Sequence, residues 1–131
     1  MFNHVMVGTN NIEKAKSFYD AVLRTLGFSG EAVPNTADSG HKRLFYRHNG
    51  GMLAVSEPID DQPASHANGG TIAFKCDSPE QVKAFHDAGV AAGGTTDQDP
   101  PGERNGGLGP MHLAYLRDPD GNKLCAIHRP A

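Results

Sequence analysis

Apolar residues recur at helical spacing in two stretches of the chain. The first stretch, within residues 12–26, has its apolar positions at Ile12, Ala15, Phe18, Tyr19, Val22, Leu23 and Leu26. The second has them at Val82, Phe85, His86 and Val90. Asn10 or Asn11 stands where it can cap the first stretch, and Asp77 or Ser78 where it can cap the second. The pattern predicts two amphipathic helices.

Short runs rich in β-forming residues surround both predicted helices. In the first half these runs are residues 2–8, 28–33, 42–48 and 51–57. In the second half they are residues 70–76, 111–117 and 123–129. Residues 97–110 contain three prolines and four glycines, which predicts a long loop. The first half therefore reads as a strand, a helix and three further strands. The second half shows three of its four strands as β-rich runs, and a repeat of the first half's order would give eight strands and two helices in all.

The two halves also resemble each other residue by residue. Residues 4–28 align with residues 71–95 without a gap, at an offset of 67. Six aligned positions are identical: Glu13/Glu80, Lys16/Lys83, Phe18/Phe85, Asp20/Asp87, Ala21/Ala88 and Gly27/Gly94. We therefore expect one domain made of two modules, residues 1–57 and 68–131, joined by a polar linker at residues 58–67.

Composition and charge narrow the classes of function. The 131-residue chain has a net charge of −3 and no basic cluster suited to nucleic acid or to an anionic membrane surface. No apolar run is long enough to span a membrane, and we expect no signal peptide. Two cysteines are too few for a disulfide scaffold, so we expect reduced thiols. These features predict a cytoplasmic protein that binds neither nucleic acid nor membrane.

Several segments together resemble the vicinal-oxygen-chelate superfamily. They are the strand opening with His4-Val5, the motif Phe18-Tyr19-Asp20 followed by Leu26-Gly27, the strand Gly70-Thr71-Ile72-Ala73-Phe74, and the turn Asp118-Pro119-Asp120-Gly121-Asn122. This superfamily includes glyoxalase I, extradiol dioxygenases and the fosfomycin- and bleomycin-resistance proteins, so the resemblance does not specify one reaction. It covers essentially the whole chain. It implies an α+β fold in which two tandem βαβββ modules form a curled eight-stranded sheet cleft with two outer helices, and it implies a homodimer.

The resemblance also implies where a metal would be held. Metalloenzymes of this superfamily use four His or Glu side chains, two from each module, around a divalent metal. Mapped onto this chain, the first-strand positions are His4 and Thr71, and the last-strand positions are Ala54 and Cys125. Only His4 is a ligand of the expected type, so we expect no metal cofactor. A displaced metal site of His4, His112 and Cys125 is a remote alternative.

Three polar side chains are further candidates for chemistry. His4 could orient a substrate or act as a general base, and Cys125 could be a nucleophile if its pKa were lowered. Arg104, in the predicted loop, could meet an anionic substrate group. His112 and Cys125 lie on neighbouring predicted strands. Whether both face the cleft stays open, because a shift of one residue turns a side chain to the other face.

The preferred interpretation is a glyoxalase/bleomycin-resistance-like protein that binds a small molecule in the cleft between its modules, with a degraded metal site. The residues expected to line that cleft are His4, Ala54, Thr71, Arg104, His112 and Cys125. The alternative is an enzyme, a lyase, transferase or isomerase that uses His4 either without a metal or with a displaced one. Glyoxalase I and extradiol dioxygenase activities are not expected, because the ligand set is incomplete.

Overall fold

The computed structural model describes residues 1–130 and contains two helices and eight strands. In chain order they are β1 (Val5–Gly8), α1 (Ile12–Arg24), β2 (Val33–Thr36), β3 (Lys42–His48), β4 (Gly51–Ser56), β5 (Ile72–Lys75), α2 (Pro79–Ala91), β6 (Thr95–Gly106), β7 (Gly109–Arg117) and β8 (Lys123–His128). Each module has one helix after its first strand and three further strands. The α+β class and the two tandem modules are confirmed.

The strands form two four-stranded sheets of the same topology. Sheet one has the order β1-β4-β3-β2, and sheet two has the order β5-β8-β7-β6. In each sheet the first and last strands of the module pair in parallel, and the other pairs are antiparallel. No strand pair joins the two sheets within residues 1–130. The eight strands that we expected are therefore divided between two four-stranded sheets, one from each module.

Both helices begin at one of the two capping residues predicted for each. The Asn11 Oδ1 atom accepts a hydrogen bond from the backbone N–H of Lys14 at 3.1 Å. The Ser78 Oγ atom accepts one from the backbone N–H of Gln81, also at 3.1 Å. These bonds satisfy amide groups that have no partner within the first helical turn. No helix in residues 1–130 combines the length and apolar content needed to cross a membrane.

One hydrophobic core joins the two modules. Helix α1 contacts α2, and their buried side chains belong to one cluster with residues of both sheets. The helices approach closely because Gly89 and Gly94 leave room for Phe18. A Cβ built on Gly94 would lie 2.6 Å from the Phe18 Cε2 atom and 2.6 Å from the Arg117 carbonyl oxygen. The helices, which we expected on the outside, therefore pack against each other in the shared core.

The strand expected at residues 28–33 was wrong, because β2 begins at Val33. Gly27 has a φ of +95°, a left-handed conformation that turns the chain after α1. Phe28 then places its ring in the core beside Tyr46, with ring centroids 5.6 Å apart. A single buried aromatic residue therefore anchors this segment, and no strand pairing is needed there.

The loop expected at residues 97–110 was also wrong, because most of this segment belongs to β6 and β7. The register between these strands shifts between Asp97 and Gly102. The two adjacent prolines of the segment, residues 100 and 101, lie within that irregularity. A bulge tolerates proline because the extra residues make no ladder hydrogen bonds. The high proline content of this segment therefore reflects a bulge within the long strand β6.

Candidate functional site

The strand register shows which residues of the two modules correspond. Met6 pairs with Ala54 across β1 and β4, and Ala73 pairs with Cys125 across β5 and β8. Since Met6 and Ala73 are aligned at the offset of 67, Ala54 and Cys125 occupy equivalent places. The first strands of the two modules align at an offset of 67 residues, whereas the last strands, β4 and β8, align at an offset of 71. This register therefore fixes the match of Ala54 to Cys125, while His4 and Thr71 stand directly before β1 and β5.

Each sheet has one face toward the shared core and one face away from it, which we call its open face. Val5, Val7, Leu53 and Val55 point into the core, so the intervening residues point the other way. Open face one consists of His4, Met6, Gly8, Val33, Asn35, Arg43, Phe45, Arg47, Met52, Ala54 and Ser56. Open face two consists of Thr71, Ala73, Lys75, Thr95, Asp97, Gly102, Arg104, Met111, Leu113, Tyr115, Arg117, Lys123, Cys125 and Ile127.

The four mapped metal positions divide between the two open faces. Ala54 lies on open face one and Cys125 on open face two. Strand alternation places His4, directly before β1, on open face one, and Thr71, directly before β5, on open face two. The two sheets share no strand pair, and each open face points away from the shared core. A single chain therefore brings these residues together only in pairs, not as a set of four.

The donor chemistry of these positions does not fit the metal implied by the superfamily. Ala54 has no donor atom, and the Thr71 hydroxyl is a poor ligand for a divalent metal. Within residues 1–130, no group of three or more His, Cys, Asp or Glu side chains is arranged to hold a metal ion. No step of a reaction is therefore assigned to a metal here.

Cys125 does not have the surroundings of a nucleophile. The residue is only 3% exposed, and burial raises the pKa of its thiol to about 11. At neutral pH the sulfur therefore carries its proton, whereas a nucleophilic cysteine needs its thiolate. His4 is exposed, and its Nδ1 atom lies 2.8 Å from the Asn3 Nδ2 atom.

His112 and Cys125 lie on opposite faces of sheet two. His112 pairs with His128 in the row of residues beside Ala114, which points into the core. Cys125 pairs with Tyr115 on open face two. The structure therefore does not bring together the displaced set of His4, His112 and Cys125.

Arg104 lies on β6, where it pairs with Met111 on open face two. Its Nη2 atom donates to the carbonyl oxygens of Pro100 at 2.9 Å and Asp99 at 3.2 Å. The side chain thus braces the bulge of β6 from within its own strand. Its guanidinium charge has no carboxylate partner among the described residues.

The Asp118–Asn122 turn has a role that its sequence pattern did not show. The Asp118 carboxylate is 4% exposed and accepts hydrogen bonds from the Tyr19 hydroxyl at 2.5 Å and from the Asn122 Nδ2 atom at 2.8 Å. Asn122 also donates to the Gly8 carbonyl oxygen at 3.1 Å. Burial, followed by the Asp118 charge, raises the pKa of Tyr19 well above its usual value. The turn therefore fastens module two to β1 and α1 of module one.

Two cation–aromatic contacts on the open faces were also missed from the sequence. The Arg43 Cζ atom lies 5.5 Å from the Phe45 ring centroid, and the Lys123 Nζ atom lies 4.6 Å from the Tyr115 ring centroid. Phe45 pairs with Ala54 as Tyr115 pairs with Cys125, so the two aromatic residues are equivalent. The alternation of Arg43, Phe45 and Arg47 in the sequence could have indicated the contact between Arg43 and Phe45.

A cavity adjoins each open face at corresponding ends of the sheets. The cavity in module one has a volume of about 450 Å³, and its lining includes Met6, Arg43, Ser56 and Ile59. The cavity in module two has a volume of about 410 Å³, and its lining includes Ala73, Lys75, Ile127 and His128. Both open faces therefore end in a concave space large enough for a small molecule.

Solved structures of related proteins share this architecture. A glyoxalase/bleomycin resistance protein from Albidiferax ferrireducens T118 is 56% identical, with a TM-score of 0.90 and coverage of 98% of this chain and 99% of that chain. A glyoxalase-related enzyme from Fulvimarina pelagi is 21% identical, with a TM-score of 0.72 and coverage of 99% and 88%. The fosfomycin resistance protein FosX from Listeria monocytogenes is 18% identical, with a TM-score of 0.68 and coverage of 100% and 92%. The last two likenesses show the fold alone.

A family model provides the broadest comparison. No curated protein matches the chain. The model of the Glyoxalase/Bleomycin resistance protein/Dioxygenase superfamily matches residues 1–126, nearly the whole sequence. Together with the relative at 56% identity, this match shows the family. The chain belongs to the Glyoxalase/Bleomycin resistance protein/Dioxygenase superfamily.

Proposed function

We propose that the protein binds a small molecule on its open faces without a metal held by the superfamily ligand set. The observation that carries this proposal is the composition of the four equivalent positions. They lie on the open faces, but only His4 is a ligand of the expected type. The adjoining cavities and the mixture of apolar and cationic side chains support binding of an organic ligand.

We further propose that the complete cleft forms in a homodimer, between open face one of one copy and open face two of the other. Within one chain the two open faces point away from the shared core, so they cannot enclose one ligand. β1 and β5 are edge strands, each paired on one side only, which leaves backbone groups free for an approaching copy. Met6, on β1, is 47% exposed and supplies apolar surface beside that edge.

Metal analysis of untagged protein tests the first part of this proposal. After dialysis against Mn²⁺, Ni²⁺ or Zn²⁺ and then against metal-free buffer, elemental analysis should find far less than one metal ion per chain. His4→Ala should give the same result. One ion per wild-type chain that is lost from His4→Ala would overturn the proposal and restore a metal site.

Ligand screening tests small-molecule binding, and mass measurement tests the homodimer. A thermal-shift screen with and without a chelator should yield ligands that stabilise the protein equally in both buffers, because binding to the folded state raises its stability. Light scattering after gel filtration should give twice the chain mass. Formation of lactoylglutathione or ring cleavage of catechols that responds to added metal would contradict the expectation that both activities are absent.

A further inference from the structure

Cationic side chains are concentrated on the open faces. The chain has 12 Lys and Arg residues and 15 Asp and Glu residues. By strand position, six of the cationic residues and only one acidic residue lie on the two open faces. The cationic residues are Arg43, Arg47, Lys75, Arg104, Arg117 and Lys123, and the acidic residue is Asp97. Although the net charge of the chain is −3, half of its Lys and Arg residues therefore lie on the faces that carry the candidate site.

Most of that charge has no acidic partner. The Arg117 Nε atom lies 2.7 Å from the Asp97 Oδ2 atom, so this pair is neutral as a unit. Among the described residues, neither Arg43 nor Arg47 forms an ion pair. Lys123 contacts the neutral Gln98 side chain and the ring of Tyr115. The uncompensated charge makes these faces suited to an anion.

Arg43 is held in place with donor groups to spare. Its Nε and Nη2 atoms donate to the Asn35 Oδ1 atom at 2.9 and 2.5 Å, and its guanidinium lies over Phe45. A guanidinium group carries five N–H donors, so three remain for a ligand. Arg43 also lines the cavity of about 450 Å³. Two carboxylates, Glu57 and Asp60, also line this cavity. The Glu57 Oε1 atom accepts the Lys42 backbone N–H at 2.6 Å, and neither carboxylate forms an ion pair with Arg43.

The two open faces repeat the same arrangement of apolar and cationic rows. On open face one, the row Met6–Ala54–Phe45–Val33 lies between a row that contains Arg43 and a row that contains Arg47. On open face two, the row Ala73–Cys125–Tyr115 lies between rows that contain Lys75 and Lys123, and it ends in Asp97 where the first row ends in Val33. An apolar strip with an aromatic residue at its centre and cations along both sides suits a flat apolar body that bears an anionic group.

We infer that the small molecule bound by these faces is an aromatic carboxylate, with its carboxylate held by Arg43 and its ring laid along the apolar row of open face one. This inference rests on the proposed small-molecule function and names the chemistry of the ligand. A guanidinium fork matches the two oxygens of a carboxylate, whereas a neutral ligand of the same shape cannot use that charge.

Calorimetric titration with 2-naphthoate and its neutral analogue 2-naphthamide tests the inference. We expect 2-naphthoate to bind at least about tenfold tighter than the amide, since a hydrogen bond to a charged group is worth one such factor or more. Arg43→Met should abolish this preference, and Arg43→Lys should keep part of it. Arg24→Met is the matched control, because Arg24 lies on α1 away from both open faces and should leave the preference unchanged.

The possible outcomes distinguish a wrong ligand class from a wrong proposed function. Equal affinity for the two probes, or an unchanged preference in Arg43→Met protein with a normal thermal unfolding curve, would overturn the aromatic carboxylate. The same holds if only neutral or cationic compounds stabilise the protein in the thermal-shift screen, although small-molecule binding would then stand. If no compound stabilises the protein at all, the proposed function itself fails.

Discussion

The two open faces share a row pattern but differ in how far they are covered. On open face two, Met111, Leu113 and Cys125 form a buried cluster with Tyr115 and Ile127 packed against it. On open face one, Met6 and Val33 are 47% and 56% exposed. The difference follows the length of the outermost strand, because β2 has four residues whereas β6 has twelve.

Two halves that share one topology therefore differ in accessible surface. A long, bulged β6 beside open face two accompanies a buried apolar cluster. A short β2 beside open face one leaves apolar side chains more exposed, and Arg43 on this face lines a cavity, as the proposed ligand contact requires. The following predictions compare equivalent positions in the two modules, from the largest expected effect to the smallest.

The aligned glycines Gly27 and Gly94 should differ most. Gly94→Ala should lower the free energy of unfolding by about 3 kcal/mol, because the new Cβ would overlap the backbone of β7 and the ring of Phe18. Gly27→Ala should cost roughly 1 kcal/mol, since only its positive φ is strained and its nearest neighbour lies 3.9 Å away. Urea unfolding of both variants measures the difference, and equal losses would contradict this reading.

Tyr19 and His86 are the next aligned pair. Tyr19→Phe should cost about 2 kcal/mol, because it leaves the buried Asp118 carboxylate without its donor from module one. His86 bonds only within module two, with its Nε2 atom 2.9 Å from the Thr96 Oγ1 atom. We expect His86→Phe to cost about 1 kcal/mol. Denaturant midpoints for the two variants provide the test, and a larger loss for His86→Phe would contradict it.

Alkaline pH should weaken module two through its two buried thiols, Cys125 on open face two and Cys76 in the shared core. Burial raises the pKa of Cys76 and of Cys125 to about 11, above the ordinary value of 9.0. The folded protein therefore keeps protons that the unfolded chain loses, so this stability is present below pH 9 and lost toward pH 11. We expect roughly 2 kcal/mol of loss per thiol by pH 10.5.

The variant Cys125→Ala isolates this effect, because it gives open face two the residue found at the equivalent Ala54. Its unfolding free energy in reducing buffer should fall less than that of the wild type between pH 8 and pH 10.5. Tyr19 also has a raised pKa and is present in both proteins, so the difference between the two slopes is the measurement. Parallel slopes would show that the Cys125 thiol does not contribute.

The smallest effect belongs to His4. Because His4 is exposed and its recorded side-chain bond is to the neighbouring Asn3, His4→Ala should change stability by less than about 0.5 kcal/mol. Differential scanning fluorimetry of the variant without ligand measures this. A loss of stability well above about 0.5 kcal/mol would mean that His4 supports the sheet. The presence of histidine at this position would then have a structural explanation.

Local signals were enough to predict the helices and several strands. Helix α1 follows from its apolar spacing and the Asn11 cap, and β3 was predicted with its observed bounds, Lys42–His48. The segment around Pro100 failed because composition cannot distinguish a bulged strand from a loop. The Phe28 segment failed for a related reason, since β-forming residues also serve as isolated core anchors.

The placement of the candidate site depended on contacts between distant parts of the chain. The alternation of Arg43 and Phe45 can be read directly, but which face of β3 is buried depends on α1 and on β4. The sequence alone matched Ala54 to Cys125, but only the parallel pairing of first and last strands fixed that register, because the offset between modules changes along the chain.

The close helix crossing also limits how the two halves can change. Gly89 aligns with Val22 at the offset of 67, and the two residues face each other: a Cβ on Gly89 would lie 3.1 Å from the Val22 Cγ1 atom. A chain built from two identical copies of module one would place valine at both positions, where the space admits only one. The halves are therefore not interchangeable, because this crossing requires a residue without a side chain opposite Val22.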